Sequence, residues 1–306
     1  MSIHGSNSRL LVGVLYLLRH VALAGSGASV AFATAGCGSD SKAGHAPVTP
    51  VSDAGQTNNV SDSGASNGCN GSSPASPSPN LTGRWAMQTV ASRYVPATGL
   101  TSAFYTKTTS VLLADITATG TQISLSAQYC DQFAEDPTAL AHVVIPDAYK
   151  RSLASFVRTG TYSQNSAGID TLTLPSFVEV EGATLADPAH DALPTVSSDS
   201  RVVDQDQDGN PGVTIKLSGL VSGDLYVVQR QISELTGFAT SQDSLRGQYG
   251  FTSEQIILDS NPTTLKSLAA QTANVDPDAC ASNFALVRVA STATCADVLA
   301  NATLFD

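Results

Sequence analysis

The chain has 306 residues and a formal net charge of −11, set by 15 Lys and Arg against 26 Asp and Glu. That balance lacks the basic footprint that phosphate backbones require, so nucleic acid is not an expected partner. Hydrophobic residues make up 42% of the chain and charged residues only 13%, against about 25% charged in an average soluble domain. The surface therefore leans on hydroxyl and amide groups, as in many extracellular β proteins.

In chain order, the apolar run LLVGVLYLL (residues 10–18) is broken by Arg19 and His20, and VALAGSGASVAFATAG then leads into Cys37. A membrane-spanning helix needs about 20 consecutive apolar residues, so residues 1–36 read as an export signal. A start of translation near Val14 would place the charged pair in the basic leader of that signal. Thr34-Ala35-Gly36-Cys37 resembles the lipobox of bacterial lipoproteins, with Thr34 where an aliphatic residue is usual. The resemblance implies acylation of Cys37 and membrane attachment through the lipid. Gly38, rather than Asp, then favours the outer membrane or cell surface. An ordinary secretory signal with a chance cysteine is the rival reading.

Residues 37–80 contain no aromatic residue, and after Cys37 their only large aliphatic ones are Val48, Val51 and Val60. Such a Ser/Gly/Pro-rich segment cannot bury enough surface to fold and is expected to be a disordered tether. As a flexible coil it would reach about 35 Å.

Residues 81–306 change character at LTGRWAMQTV and are expected to form one β-rich globular domain. In TQISLSAQY, Ile123, Leu125, Ala127 and Tyr129 alternate with polar residues, the period of two of a strand with one buried face. GVTIKLSG repeats the pattern. Further strands are expected at 85–91, 103–116, 156–162, 170–174, 177–181, 224–233, 244–251, 255–258 and 284–290, with short helices at 147–154, 262–271 and 295–300. Many strands without regular strand–helix alternation predict an all-β, antiparallel barrel or sandwich.

Apart from Cys37 there are four cysteines, Cys69, Cys130, Cys280 and Cys295. An even number in an exported chain points to disulfides. Cys280 with Cys295 is the expected pair, closing a short loop, and Cys69 with Cys130 would fasten the tether to the domain.

DQDQDGNPG, residues 204–212, spaces Asp204, Asp206 and Asp208 two apart before Gly209 and Asn210. Alternate carboxylates followed by a turn residue can wrap a hard cation. The stretch resembles the calcium loops of EF-hands and thrombospondin type 3 repeats. That resemblance implies Asp204, Asp206 and Asp208 as side-chain ligands and Asn210 as a carbonyl ligand for calcium. It departs from the EF-hand at the twelfth position, which is Ile215, so Asp199 or a distant carboxylate would have to help. A solvated acidic turn is the alternative.

No HExxH or P-loop motif occurs in residues 37–306, and the one GxSxG, GASNG at 64–68, falls in the expected tether without the strand–turn–helix context of a nucleophile elbow. His142 and His190 read as surface residues. Glu179 and Glu181 could form a carboxylate pair for glycoside hydrolysis, although an exposed strand face is the expectation. Gly83-Arg84-Trp85 resembles the G-x-W of lipocalin-like barrels, in which a Trp closes one end under a basic residue of the last strand; the resemblance assigns that place to Arg288. The signal, tether and β domain together resemble the layout of bacterial surface lipoproteins. The expected function is a non-enzymatic envelope lipoprotein that binds calcium and a small ligand, glycan or protein; the alternative is a secreted hydrolase.

Overall fold

The computed structural model describes residues 79–96, 103–135, 141–165, 169–219, 221–268 and 274–306. The expected signal, Cys37, Cys69 and nearly all of the tether lie outside them. The strands are β1 (Gly83–Val95), β2 (Phe104–Thr119), β3 (Gln122–Glu135), β4 (Ala141–Val144), β5 (Phe156–Gln164), β6 (Asp170–Glu181), β7 (Val213–Gly219), β8 (Gly223–Ser241), β9 (Ser244–Asn261), β10 (Asn274–Val275) and β11 (Asn283–Arg288). Among the described residues three short helices, α1 (Asp147–Ser152), α2 (Thr264–Leu268) and α3 (Cys295–Ala300), interrupt them.

Antiparallel pairings lead from β1 through β2, β3, β5, β6, β8, β9 and β11 back to β1. The expected all-β antiparallel architecture is therefore a sheet that curls into a ring, its strands following one another in chain order. Strand β8 also pairs through its first residues with β7, which pairs with β4, so a small flap flares from one end. The β2–β3 hairpin turns through Gly120 and Thr121, with Gly120 at φ 60°, a backbone state that glycine adopts without a steric penalty.

Alternation fills one end of the ring. Trp85 and Met87 of β1, Leu112 and Ala114 of β2, Leu125 of β3, Leu172 and Leu174 of β6, Leu235 of β8, Leu245 of β9 and Leu286 of β11 form one buried cluster. Two glycines make room in it. Gly237 and Gly247 face each other across β8 and β9, and a Cβ on either would stand 2.6 Å from the Phe284 ring. Gly247→Ala is therefore expected to destabilise the domain by about 1–3 kcal/mol through overpacking, measurable by thermal denaturation.

The end of the ring is closed by Trp85, which is fully buried and donates its indole N–H to Leu81 O at 2.8 Å. The Arg288 guanidinium lies over the ring at 4.3 Å from its centroid. It also donates to Asp243 Oδ1 at 2.8 Å and to the carbonyls of Thr82 and Asn80. Gly83, at φ 140°, lets the guanidinium pass, since a Cβ there would meet Arg288 Nη1 at 2.7 Å. The sequence pairing of Trp85 with Arg288 is thus a direct contact.

Where expected strands 170–174 and 177–181 meet, the chain does not break. Pro175 and Ser176 occupy an irregularity between Leu174 and Phe177 in one continuous β6, a place where the missing proline N–H costs no ladder bond.

The cysteine pairing differs from expectation. Cys130 bonds Cys295, with Cα atoms 5.1 Å apart, and Cys280 belongs to a separate disulfide. Neither Cys280–Cys295 nor Cys69–Cys130 is therefore formed. Strand β11 runs between Cys280 and Cys295 and carries the chain about 20 Å along the ring, whereas a disulfide needs Cα atoms within about 7 Å. Short separation in sequence was a poor guide because an extended strand intervenes. Cys130 is the extra residue of a bulge, lying between Tyr129 opposite Leu112 and Asp131 opposite Val111. It faces outward, where it joins Cys295, Val298, Val111 and Leu113 in an apolar patch beneath α3.

Candidate functional site

Above the filled end the lumen opens into a cavity of about 610 Å³. Strand β1 leads from one to the other: Trp85 lies in the core and Arg93, eight residues on, lines the cavity, a rise of about 26 Å. The bulge at Cys130 shifts the alternation of β3, so that Tyr129, Gln132 and Ala134 all line it. From β6 and β8 come two facing pairs, Glu179 opposite Gln231 and Glu181 opposite Gln229. Tyr149 of α1, 1% exposed, lines the flap side.

Each carboxyl is held by a phenol. Tyr129 donates its hydroxyl to Glu179 Oε1 at 2.6 Å, and Tyr149 donates to Glu181 Oε2 at 2.5 Å. Gln229 donates to the same Glu181 oxygen. Gln231 donates to the Tyr249 hydroxyl at 2.5 Å. Burial raises the pKa of Glu179, an effect opposed by the Tyr129 hydroxyl and reinforced by the charge of Glu181. Burial likewise raises that of Glu181, against hydrogen bonds from Tyr149 and Gln229. The same burial holds Tyr129 and Tyr149 well above the usual phenol value, so both stay protonated donors.

Two arginines enter the lumen. Arg158 is fixed, donating to the carbonyls of Pro175 at 2.9 Å and Ser233 at 3.0 Å beneath the Phe177 ring. Arg93 lies over the Phe251 ring at 5.0 Å and donates to Thr108 Oγ1 at 3.2 Å; it makes no ion pair among the described residues.

Sequence reasoning placed Glu179 and Glu181 on an exposed face, and the structure turns that face into the lumen. The reason is the flanking loop. Val180, Val228 and Ile256 on the outer side are covered by Ala183, Leu185, Leu193 and Val202 of the loop, so Val180 of β6 points out while Glu179 and Glu181 point in. Only the loop's own apolar residues signalled this in the sequence.

A pH dependence follows. A carboxyl whose folded pKa lies above its ordinary 4.5 contributes stability that is complete below the unfolded value and is lost as pH rises through the folded one. Glu181→Gln, neutral at every pH, is expected to gain in Tm relative to the unsubstituted protein as pH is raised from about 4 to about 8. Parallel melts across that range check it; a constant difference would contradict the burial of a titrating group.

The acidic loop lies between β6 and β7. Asp204, Asp206 and Asp208 each bring one carboxylate oxygen within 4.8 Å of the others. Asn210 turns to its neighbour, its backbone N–H and its side-chain amide both donating to Asp208 Oδ1 at 2.9 and 3.1 Å. Asp199 is occupied by Arg201 at 2.8 Å, which holds its pKa down to about 2. His190 sits exposed beside Asp187 at 3.0 Å, and His142 lies on β4; neither lines the cavity. No helix among the described residues is long and apolar enough to cross a membrane. Comparison with protein-family models, with curated proteins and with solved structures finds no match for this chain.

Proposed function

We propose that the domain is a binding module for a short glycan or sugar-like polyol, carried at a bacterial cell envelope by a lipid on Cys37. The observation that carries this reading is the cavity's lining. A volume of about 610 Å³ falls in the ordinary range of small-molecule sites. Its wall combines two carboxyls, the amides of Gln132, Gln229 and Gln231, phenol hydroxyls and the guanidinium of Arg93, a mixture of donors and acceptors that matches hydroxyl groups better than an apolar ligand. Of the aromatic rings, Tyr129 and Tyr149 line the cavity, Tyr129 backed by Phe156 at 5.8 Å, and they offer the apolar contact that sugar rings need.

Binding is favoured over hydrolysis by the placement of the two glutamates. A glycosidase sets its carboxyls on either side of the scissile bond, whereas Glu179 and Glu181 project from one strand, on one wall. The test is a thermal-shift and calorimetric screen of neutral mono- and oligosaccharides, with chromogenic glycosides assayed for turnover in parallel. A saturable shift without turnover, weakened at least tenfold by Glu179→Gln, is expected. Turnover lost in the same variant would favour the hydrolase. Mass spectrometry of the exported protein tests the anchor: a diacylglyceryl mass on an N-terminal Cys37 is expected, and an unmodified cysteine would contradict it.

A further inference from the structure

We propose that Asp204, Asp206 and Asp208 form a calcium site, with the buried Asp206 as its inner ligand. The proposal does not depend on what the cavity binds. Three acidic residues in one loop are not a site by themselves, because Asp204 and Asp208 are exposed and the loop satisfies much of its own hydrogen bonding. The Asp204 carboxylate accepts from the backbone of Asp208 and Gly209 at 3.1 and 2.9 Å. Asp208 Oδ2 accepts from the Thr214 hydroxyl at 2.5 Å. Asp206 is different. It is 8% exposed; its Oδ2 accepts from the Thr214 N–H at 2.9 Å, but its Oδ1 is buried without any hydrogen-bond partner among the described residues.

A bare buried carboxylate oxygen is costly, and the same carboxylate brings an oxygen within 4.8 Å of one from Asp204 and one from Asp208. A cation seated among them would satisfy it and cancel the repulsion of the three acids. The donor set is entirely oxygen and belongs to a loop, which suits the flexible coordination of calcium; magnesium demands a tight octahedron and keeps most of its water. With two of three ligands exposed, the affinity should be that of extracellular calcium modules, a Kd of about 10⁻⁴ to 10⁻³ M.

Such an ion would fasten more than its own loop. Gln205, between two of the ligands, accepts from the N–H of Gly182 at 2.8 Å, next to Glu181. Its amide donates to the carbonyl of Ser152 at 3.3 Å, at the end of the helix that carries Tyr149. The calcium loop is thereby tied to both elements that hold Glu181 in place.

Calorimetry and thermal melting of the chelator-treated protein test the proposal, with calcium chloride as the probe and magnesium chloride as the control. One saturable calcium site and a rise in Tm are expected, with at least a tenfold weaker response to magnesium. Asp206→Asn should abolish both effects. Should that variant fail to fold, the exposed Asp204→Asn is expected to raise the Kd at least tenfold. The proposal is overturned by a folded protein that gives neither heat nor a shift at millimolar calcium, by equal responses to the two ions, or by calcium binding unchanged in either variant.

Discussion

Replacing Cys130 and Cys295 together by Ala is expected to lower stability by about 2–5 kcal/mol. The bridge joins positions 165 residues apart, and in the chain-entropy account a long closed loop gives the largest effect. In a domain of this size each kcal/mol moves Tm by about 2–4 °C, so Tm should fall by about 5–20 °C. Detachment should be local as well as global. The helix α3 carries a capping box, Thr294 with Asp297, but at six residues it is too short to persist alone. Its hold on the ring is Val298 against Val111 and Leu113, together with the disulfide. Hydrogen exchange in residues 295–300 should therefore quicken well before the strands open. Unchanged exchange and a Tm within a degree of the original would show that the apolar patch alone suffices.

Trp85→Ala is expected to cost about 3–5 kcal/mol. The side chain is fully buried, and its loss also leaves Leu81 O without the indole donor and Arg288 without the ring beneath it. Circular dichroism must follow the melt, because Trp85 is the chain's only tryptophan. Arg288→Met separates the contributions. The Met variant loses the cation–π contact, worth about 0.5–2 kcal/mol, with the bonds to Asp243, Thr82 and Asn80, but keeps the buried ring, and should lose less than the Ala variant. A loss below about 1 kcal/mol for Trp85→Ala would mean that this end of the ring is not closed by packing.

Much of this architecture was legible in the residues. Ile123, Leu125 and Ala127 alternate because one face of β3 meets the filled lumen, and all three are buried. The resemblance of Gly83-Arg84-Trp85 to the lipocalin-like G-x-W pointed to Arg288, and the two side chains are in contact, with Gly83 leaving room for the guanidinium. Helix α3 was readable to the residue, since Thr294 and Asp297 are cap-forming types at cap spacing. What was not legible depends on contacts far apart in sequence. The inward turn of Glu179 and Glu181 is decided by the loop that covers Val180 from outside. The bond from Cys130 to Cys295 is decided by a bulge and by the return of the chain after β11. Strands 244–251 and 255–258 merge into one 18-residue β9 because exposed Thr252, Ser253, Glu254 and Gln255 continue the ladder to β8 at the cavity rim, where polarity marks a mouth and not a turn.

A bound ligand is expected to occupy the cavity between Tyr129, Tyr149 and Glu181. The most direct test is NMR of the tyrosine rings during titration with whichever saccharide gives the largest thermal shift. The rings of Tyr129, Tyr149 and Tyr249 should move together and saturate, while Tyr94 and Tyr105, paired with each other at 5.3 Å away from the cavity lining, stay still. Movement confined to Tyr94 and Tyr105, or no movement of any ring while the protein binds saccharide, would contradict it.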